Sequence, residues 1–207
     1  MTEPGQGAPA PETQGNWNQP AAQTPPALRT AAVEPGPAPG VAYADLVMRV
    51  IAYVIDSIIM GVAIGIIGAI LIVPLAVLGG VAGALVAFVV IGGLSLVGSA
   101  VYFVYFWTTM RASLGQKVLS LETVNAADGG TLTRDQAIKR WAYLFGPGAA
   151  LTVANLTLSG SALGILSSLL SLAVFGYTIY LLYTASQSSK RQGFHDVQAG
   201  TVVIKRG

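Results

Sequence analysis

The run from Leu46 to Val73 is apolar except for two formal charges near its start, Arg49 and Asp56. It exceeds the ~20 apolar residues that a transmembrane helix needs. Ionised side chains at membrane depth are costly, and they usually face a bundle interior or a water-filled cavity. Arg49 and Asp56 lie two helical turns apart, so they share one face at a separation of about 10 Å along the axis. Tyr53 and Met60 fall on the same face, with Asp45 just below. The opposite face carries Val50, Ile51, Val54, Ile55 and Ile58, which suits lipid.

Composition extends this reading to the whole chain. It is 53% hydrophobic and 10% charged, against ~25% charged in ordinary soluble domains. A membrane domain of a few helices plus a tail is therefore expected, without room for a large catalytic domain outside the bilayer. The net charge of +2 is small and its basic residues are scattered, which points away from nucleic acid. The absence of cysteine excludes disulfides, thiolate nucleophiles and cysteine metal sites. With no Ser/His/Asp set, metal-ligand spacing or dinucleotide fingerprint, the chain is read as non-enzymatic, with no metal and no cofactor.

Residues 1–42 form a separate region holding nine of the eleven prolines. Such a segment cannot bury enough apolar surface to offset its ordering entropy, so a disordered tail is expected. It does not read as a signal peptide, and Trp17 is its one large aromatic residue. Residues 43–207 make up the membrane domain. After the first apolar stretch, Pro74 and Gly79-Gly80 predict a tight turn before a second stretch, Val81–Thr109. The cluster Tyr102 to Trp107 reads as an interfacial aromatic belt. Polar residues 111–140 follow, with a short strand predicted over Lys117–Asn125, a turn at Ala126–Gly130 and a helix start at the Thr133–Gln136 capping box. That helix is expected to lie at the interface. A third apolar stretch, Trp141–Leu158, is interrupted by Gly146-Pro147-Gly148, and a fourth runs from about Ala162 to Ser186. Gly61-x-x-x-Gly65 and Gly160-x-x-x-Gly164 fit the small-residue packing pattern.

Basic residues set the expected topology. Arg111, Lys117, Arg134, Lys139 and Arg140 lie in one polar segment, and Lys190, Arg191, Lys205 and Arg206 lie in the tail. Under the positive-inside rule both are cytoplasmic. An even number of crossings must separate them, so Trp141–Leu158 should cross. The expectation is an all-α bundle of four transmembrane helices with both termini cytoplasmic. It also carries a short cytoplasmic hairpin and an interfacial helix. A re-entrant third segment with three crossings is the rival.

Three patches resemble the RDD family of small bacterial membrane proteins, named for one arginine and two aspartates. The first is Tyr43 to Asp56, with Arg49 at the helix start and Asp56 further in. The second is Ser113-Leu-Gly115-Gln-Lys117, followed by the Asp128-Gly-Gly turn and Arg140. The third is His195-Asp196-Val-Gln-Ala-Gly200-Thr201. The resemblance implies a polar centre of Arg49, Asp56 and Asp196, with Tyr53, Arg140 and His195 in support. Asp196 lies on the same side as Arg49 under four crossings, so an ion pair between them would pin the tail. His195, the only histidine, is a poor metal site and is expected to make a structural hydrogen bond. The expected function is transport, or help in transport, of a proton, small cation or other small ligand. The alternative is a non-catalytic accessory or assembly subunit that binds another membrane protein or a second copy. The lipid bilayer is a partner in either case.

Overall fold

The computed structural model describes residues 36–37, 41–157 and 161–206. The disordered-tail expectation for residues 1–42 therefore falls mostly outside the described residues, Trp17 included. Val41 and Ala42 are the correction: with Tyr43 they form a strand, β1 (Val41–Tyr43). The rest follows as α1 (Leu46–Thr109), α2 (Leu114–Val118), β2 (Leu121–Asn125), α3 (Arg134–Thr157), α4 (Ser161–Gln187), α5 (Phe194–Ala199) and β3 (Thr201–Arg206).

The first two apolar stretches form one helical hairpin. Asp45 caps α1 by accepting from the Val47 amide at 3.2 Å. The break falls at Gly80, whose φ of 54° and ψ of −138° suit only glycine. Pro74 stays inside the helix. Beyond Gly80 the second arm returns along the first: Ile91 Cδ1 lies 3.7 Å from the Cβ position of Gly68, and Met60 Cε lies 3.8 Å from that of Gly98. Asp56 meets Tyr102 nearer the open end. Among the described residues, three helical segments are long and apolar enough to cross a membrane: Leu46–Ile70, Val77–Thr109 and Gly164–Gln187.

α3 runs unbroken from its Thr133–Gln136 cap through Pro147 to Thr157, where an interfacial helix and a separate apolar stretch were expected. The polar residues Arg134, Asp135, Lys139 and Arg140 lead straight into the apolar part. Proline is tolerated in such helices because neighbours and local adjustments satisfy the freed carbonyl. α3 packs on α1, α4 and α5.

The polar end carries a sheet, so the fold is mostly helical but not all-α. The strand order is β1-β3-β2 with antiparallel pairing throughout, Tyr43 opposite Ile204 and Thr123 opposite Val203. The expected short hairpin is thus absent: β2 pairs with the C-terminal strand. Residues 117–120 of the predicted strand instead finish α2 and its turn. Period-two alternation gives β3 two buried faces. Val203 joins Leu121, Ala44 and Ala52 on the helix side, while Val202 and Ile204 join Val124 on the other.

Tyr102, Phe103 and Trp107 are not a belt. Phe103 and Trp107 are buried with Leu132 and Ala137 against α3, and Tyr105 alone of this group turns fully outward. Gly61 and Gly65 meet no neighbour within 4 Å of their Cβ positions, so they pack no helix pair among the described residues.

Candidate functional site

Asp56 is 2% exposed and has three protein donors. The Tyr102 hydroxyl and the Gly115 amide each donate to Oδ1 at 2.7 Å, and the Ser113 hydroxyl donates to Oδ2. Tyr102 comes from the returning arm of α1, and Ser113 and Gly115 from the loop and helix just after it. Gly115 is required here by close approach: a Cβ would lie 2.1 Å from the Ala52 carbonyl oxygen. Ser113 and Gln116 form the capping box of α2, and Gln116 Oε1 also accepts from Trp107 Nε1 and Thr123 Oγ1.

Asp196 is fully buried at the start of α5. Arg49 pairs with its Oδ2 and Arg140 with its Oδ1. The Gly193 amide donates to Oδ2 at 3.0 Å, and Thr201 Oγ1 lies 3.3 Å from Oδ1. Arg49 also donates to the Arg191 carbonyl, and Arg140 to Thr201 Oγ1. One carboxylate therefore ties together α1, α3, α5 and the start of β3. The Arg140 guanidinium lies 5.0 Å over the Trp107 ring, a cation–π distance.

His195 Nε2 stands 3.5 Å from Asp196 Oδ2, an ion-pair distance were the ring charged. Burial, and then the Arg140 and Arg49 charges, hold its pKa well below the usual imidazole range. Two guanidiniums outweigh one carboxylate that they already neutralise, so the ring is neutral near pH 7. Its Nδ1 has no hydrogen-bond partner among the described residues, as does Arg140 Nε. The structural hydrogen bond expected of His195 is absent there.

The expected three-residue centre is thus two clusters. Arg49 and Asp196 meet, joined by Arg140 and flanked by His195. Asp56 belongs to a separate cluster with Tyr102, Ser113 and Gly115. Between them lies a cavity of about 120 Å³ lined by Arg49, Asp56, Ser113, Gln116, Arg140 and His195, with Tyr53, Phe103 and Phe145 among its apolar walls. It can hold several waters. Its far walls carry opposite charge, two guanidiniums facing one carboxylate. Tyr53 lies half exposed at its side, 5.8 Å from the Phe145 ring. A second cavity of about 190 Å³ lies along the same α1–α3 seam, lined by Ser95, Ser99, Trp141, Gly148 and Thr152. Among the described residues no cluster of three or more His, Cys, Asp or Glu side chains could hold a metal.

Tyr102, Ser113 and Gly115 were missed as partners of Asp56. The Tyr102 signal was present in its position on the returning arm, but pairing it with Asp56 requires the hairpin register. A search of curated proteins and of solved structures gives no match. A family model for the RDD family matches residues 43–200, which takes in both clusters. With that match covering most of the chain, and with three apolar helices of membrane-spanning length, this membrane protein belongs to the RDD family.

Proposed function

We propose that the protein carries a proton or small cation across the bacterial inner membrane, using Asp56 as the binding carboxylate. The observation that carries this reading is the pair of cavities along the α1–α3 seam. Asp56 lines the cavity at the polar end, and Ser95, Ser99 and Thr152 bring hydroxyls to the otherwise mostly apolar wall of the second, those of Ser99 and Thr152 donating to the Leu96 and Gly148 carbonyls. Three donors fill three of the roughly four lone-pair sites of a carboxylate, leaving one without a donor among the described residues.

Four crossings with both termini in the cytoplasm complete the reading. Strand pairing supports the count, because β1, β2 and β3 share one sheet and so lie on one side of the bilayer. α4 is long and apolar enough to cross. α3, between β2 and α4, must then cross as well. Its apolar part from Trp141 to Thr157 spans about 25 Å at 1.5 Å per residue, close to the ~30 Å hydrocarbon core. Basic residues on the sheet side support a cytoplasmic face there under the positive-inside rule.

The test is reconstitution of the purified protein in liposomes, with ion and proton flux followed for wild type and Asp56→Asn. Asparagine keeps the site folded: its oxygen can accept from Tyr102 and Gly115, and the Ser113 hydroxyl can rotate to accept from its amide. Flux in wild type that is lost, or loses its pH dependence, in Asp56→Asn is the expected result. Unchanged flux in the folded variant removes Asp56 from the mechanism. Absence of flux in the wild type favours the accessory-subunit reading.

A further inference from the structure

We infer that Phe145 is the gate between the two cavities, held shut in this structure; the inference rests on the transport reading. Among the residues that line the two spaces, Phe145 alone belongs to both walls. Below it are Asp56, Ser113 and Gln116, and above it are Ser95, Ser99 and Thr152. An apolar ring between two spaces that are walled mostly by carbon, with these polar groups set into them, blocks water and ions, because neither can be solvated by its carbon edge.

The ring is latched by two aromatic neighbours. Phe145 stacks on Phe103 at 4.6 Å and 24°, and Tyr53 stacks on it at 5.8 Å and 29°. These three rings come from both arms of α1 and from α3, so the barrier closes only when all three segments are packed. Just beyond, Gly146 and Gly148 have no atom within 4 Å of their Cβ positions. Pro147 between them cannot donate to the preceding helical turn. The Tyr143 carbonyl that Pro147 frees accepts instead from the Tyr177 hydroxyl of α4 at 2.6 Å. A helix held there by a side-chain bond, without side-chain bulk on either side of the proline, can turn locally, which would carry Phe145 off Phe103. The polar groups already stand on both sides, so this one displacement would join the cavities. Selectivity against larger solutes follows from the same ring.

The chain has no cysteine, so a single introduced thiol reports on access without background. The experiment uses the full-length protein in inside-out membrane vesicles with Ser99→Cys, treated from the cytoplasmic side with a small, membrane-impermeant cationic methanethiosulfonate. Val50→Cys, on the lower cavity wall, serves as the reference for access to that cavity. With Phe145 intact, the thiol at position 99 should react slowly. Phe145→Ala should raise its rate at least tenfold relative to the thiol at position 50, and Phe145→Trp should keep it slow. Phe145→Leu replaces Phe145→Ala should the smaller variant fail to fold. A fast reaction with Phe145 intact, or equal rates across the Phe145 series, overturns the gate. Labelling needs no flux, so failure of the gate and failure of the transport reading are separable: gated labelling in a protein without flux would remove transport alone.

Discussion

Asp196 holds two buried guanidiniums, so its loss leaves charges without partners. Removing one member of a buried ion pair costs about 3–5 kcal/mol. Arg49→Ala and Asp196→Ala should each lower thermal stability in detergent by a cost of that order. The double variant should lose less than the sum, because the shared contact is counted once; strict additivity would argue against the pair. His195 carries a pH signature. Its folded pKa lies well below the ordinary imidazole value, which is about 6.5. Below that value the unfolded chain takes up a proton that the folded chain refuses, so stability falls as pH falls and is flat above it. His195→Gln should therefore shrink the loss of melting temperature between pH 7.5 and pH 5, read as the difference from wild type. An unchanged difference would mean that the ring takes up its proton as readily in the fold as in the unfolded chain.

At the scale of elements, α2 sits on α1 because residue 115 has no side chain. Its backbone reaches both the Ala52 carbonyl and the Asp56 carboxylate, and a methyl group there would fall 2.1 Å from the first. Gly115→Ala should force α2 off α1 and cost at least the ~1–3 kcal/mol typical of overpacking. Gly61→Ala, on the same helix but facing open space, should leave the melting temperature within error. Equal effects at the two positions would show that general helix propensity decides, not contact. The same reasoning separates the hairpin glycines. Gly79 could accept a side chain, whereas Gly80 has the positive φ that breaks α1 into two arms.

For the whole molecule, the sheet joins segments from three parts of the chain. β3 is its centre, and both partners lose their pairing without it. This joins the N-terminal entry, the middle loop and the C-terminal end on one side of the bilayer. Reporter fusions after Leu158 and after Gly207 should accordingly read opposite sides, periplasmic for the first and cytoplasmic for the second. A periplasmic signal at Gly207 would contradict the positive-inside reading, and the same signal at both sites would contradict the four-crossing count.

The apolar stretches, the turn at Gly79-Gly80, the Thr133 cap and the segregated face of α1 were legible in the sequence. Each follows from local chemistry: side-chain hydrophobicity, helical period and the freedom of glycine. The placing of Asp196 beside Arg49 was also within reach, because charge and topology restrict where a buried arginine can find a partner. The sheet was not read, although Thr201-Val-Val-Ile is a β-branched run suited to a strand. A strand is completed by its neighbours, and those of β3 lie about 80 and 160 residues earlier in the chain. The division of the polar centre into two clusters was likewise decided by tertiary structure. Asp56 and Arg49 share a helix face, but which donors reach each charge depends on how the second arm, the α2 loop and α5 pack. Local sequence determines which groups need partners; only the packing of distant segments determines which partners they receive.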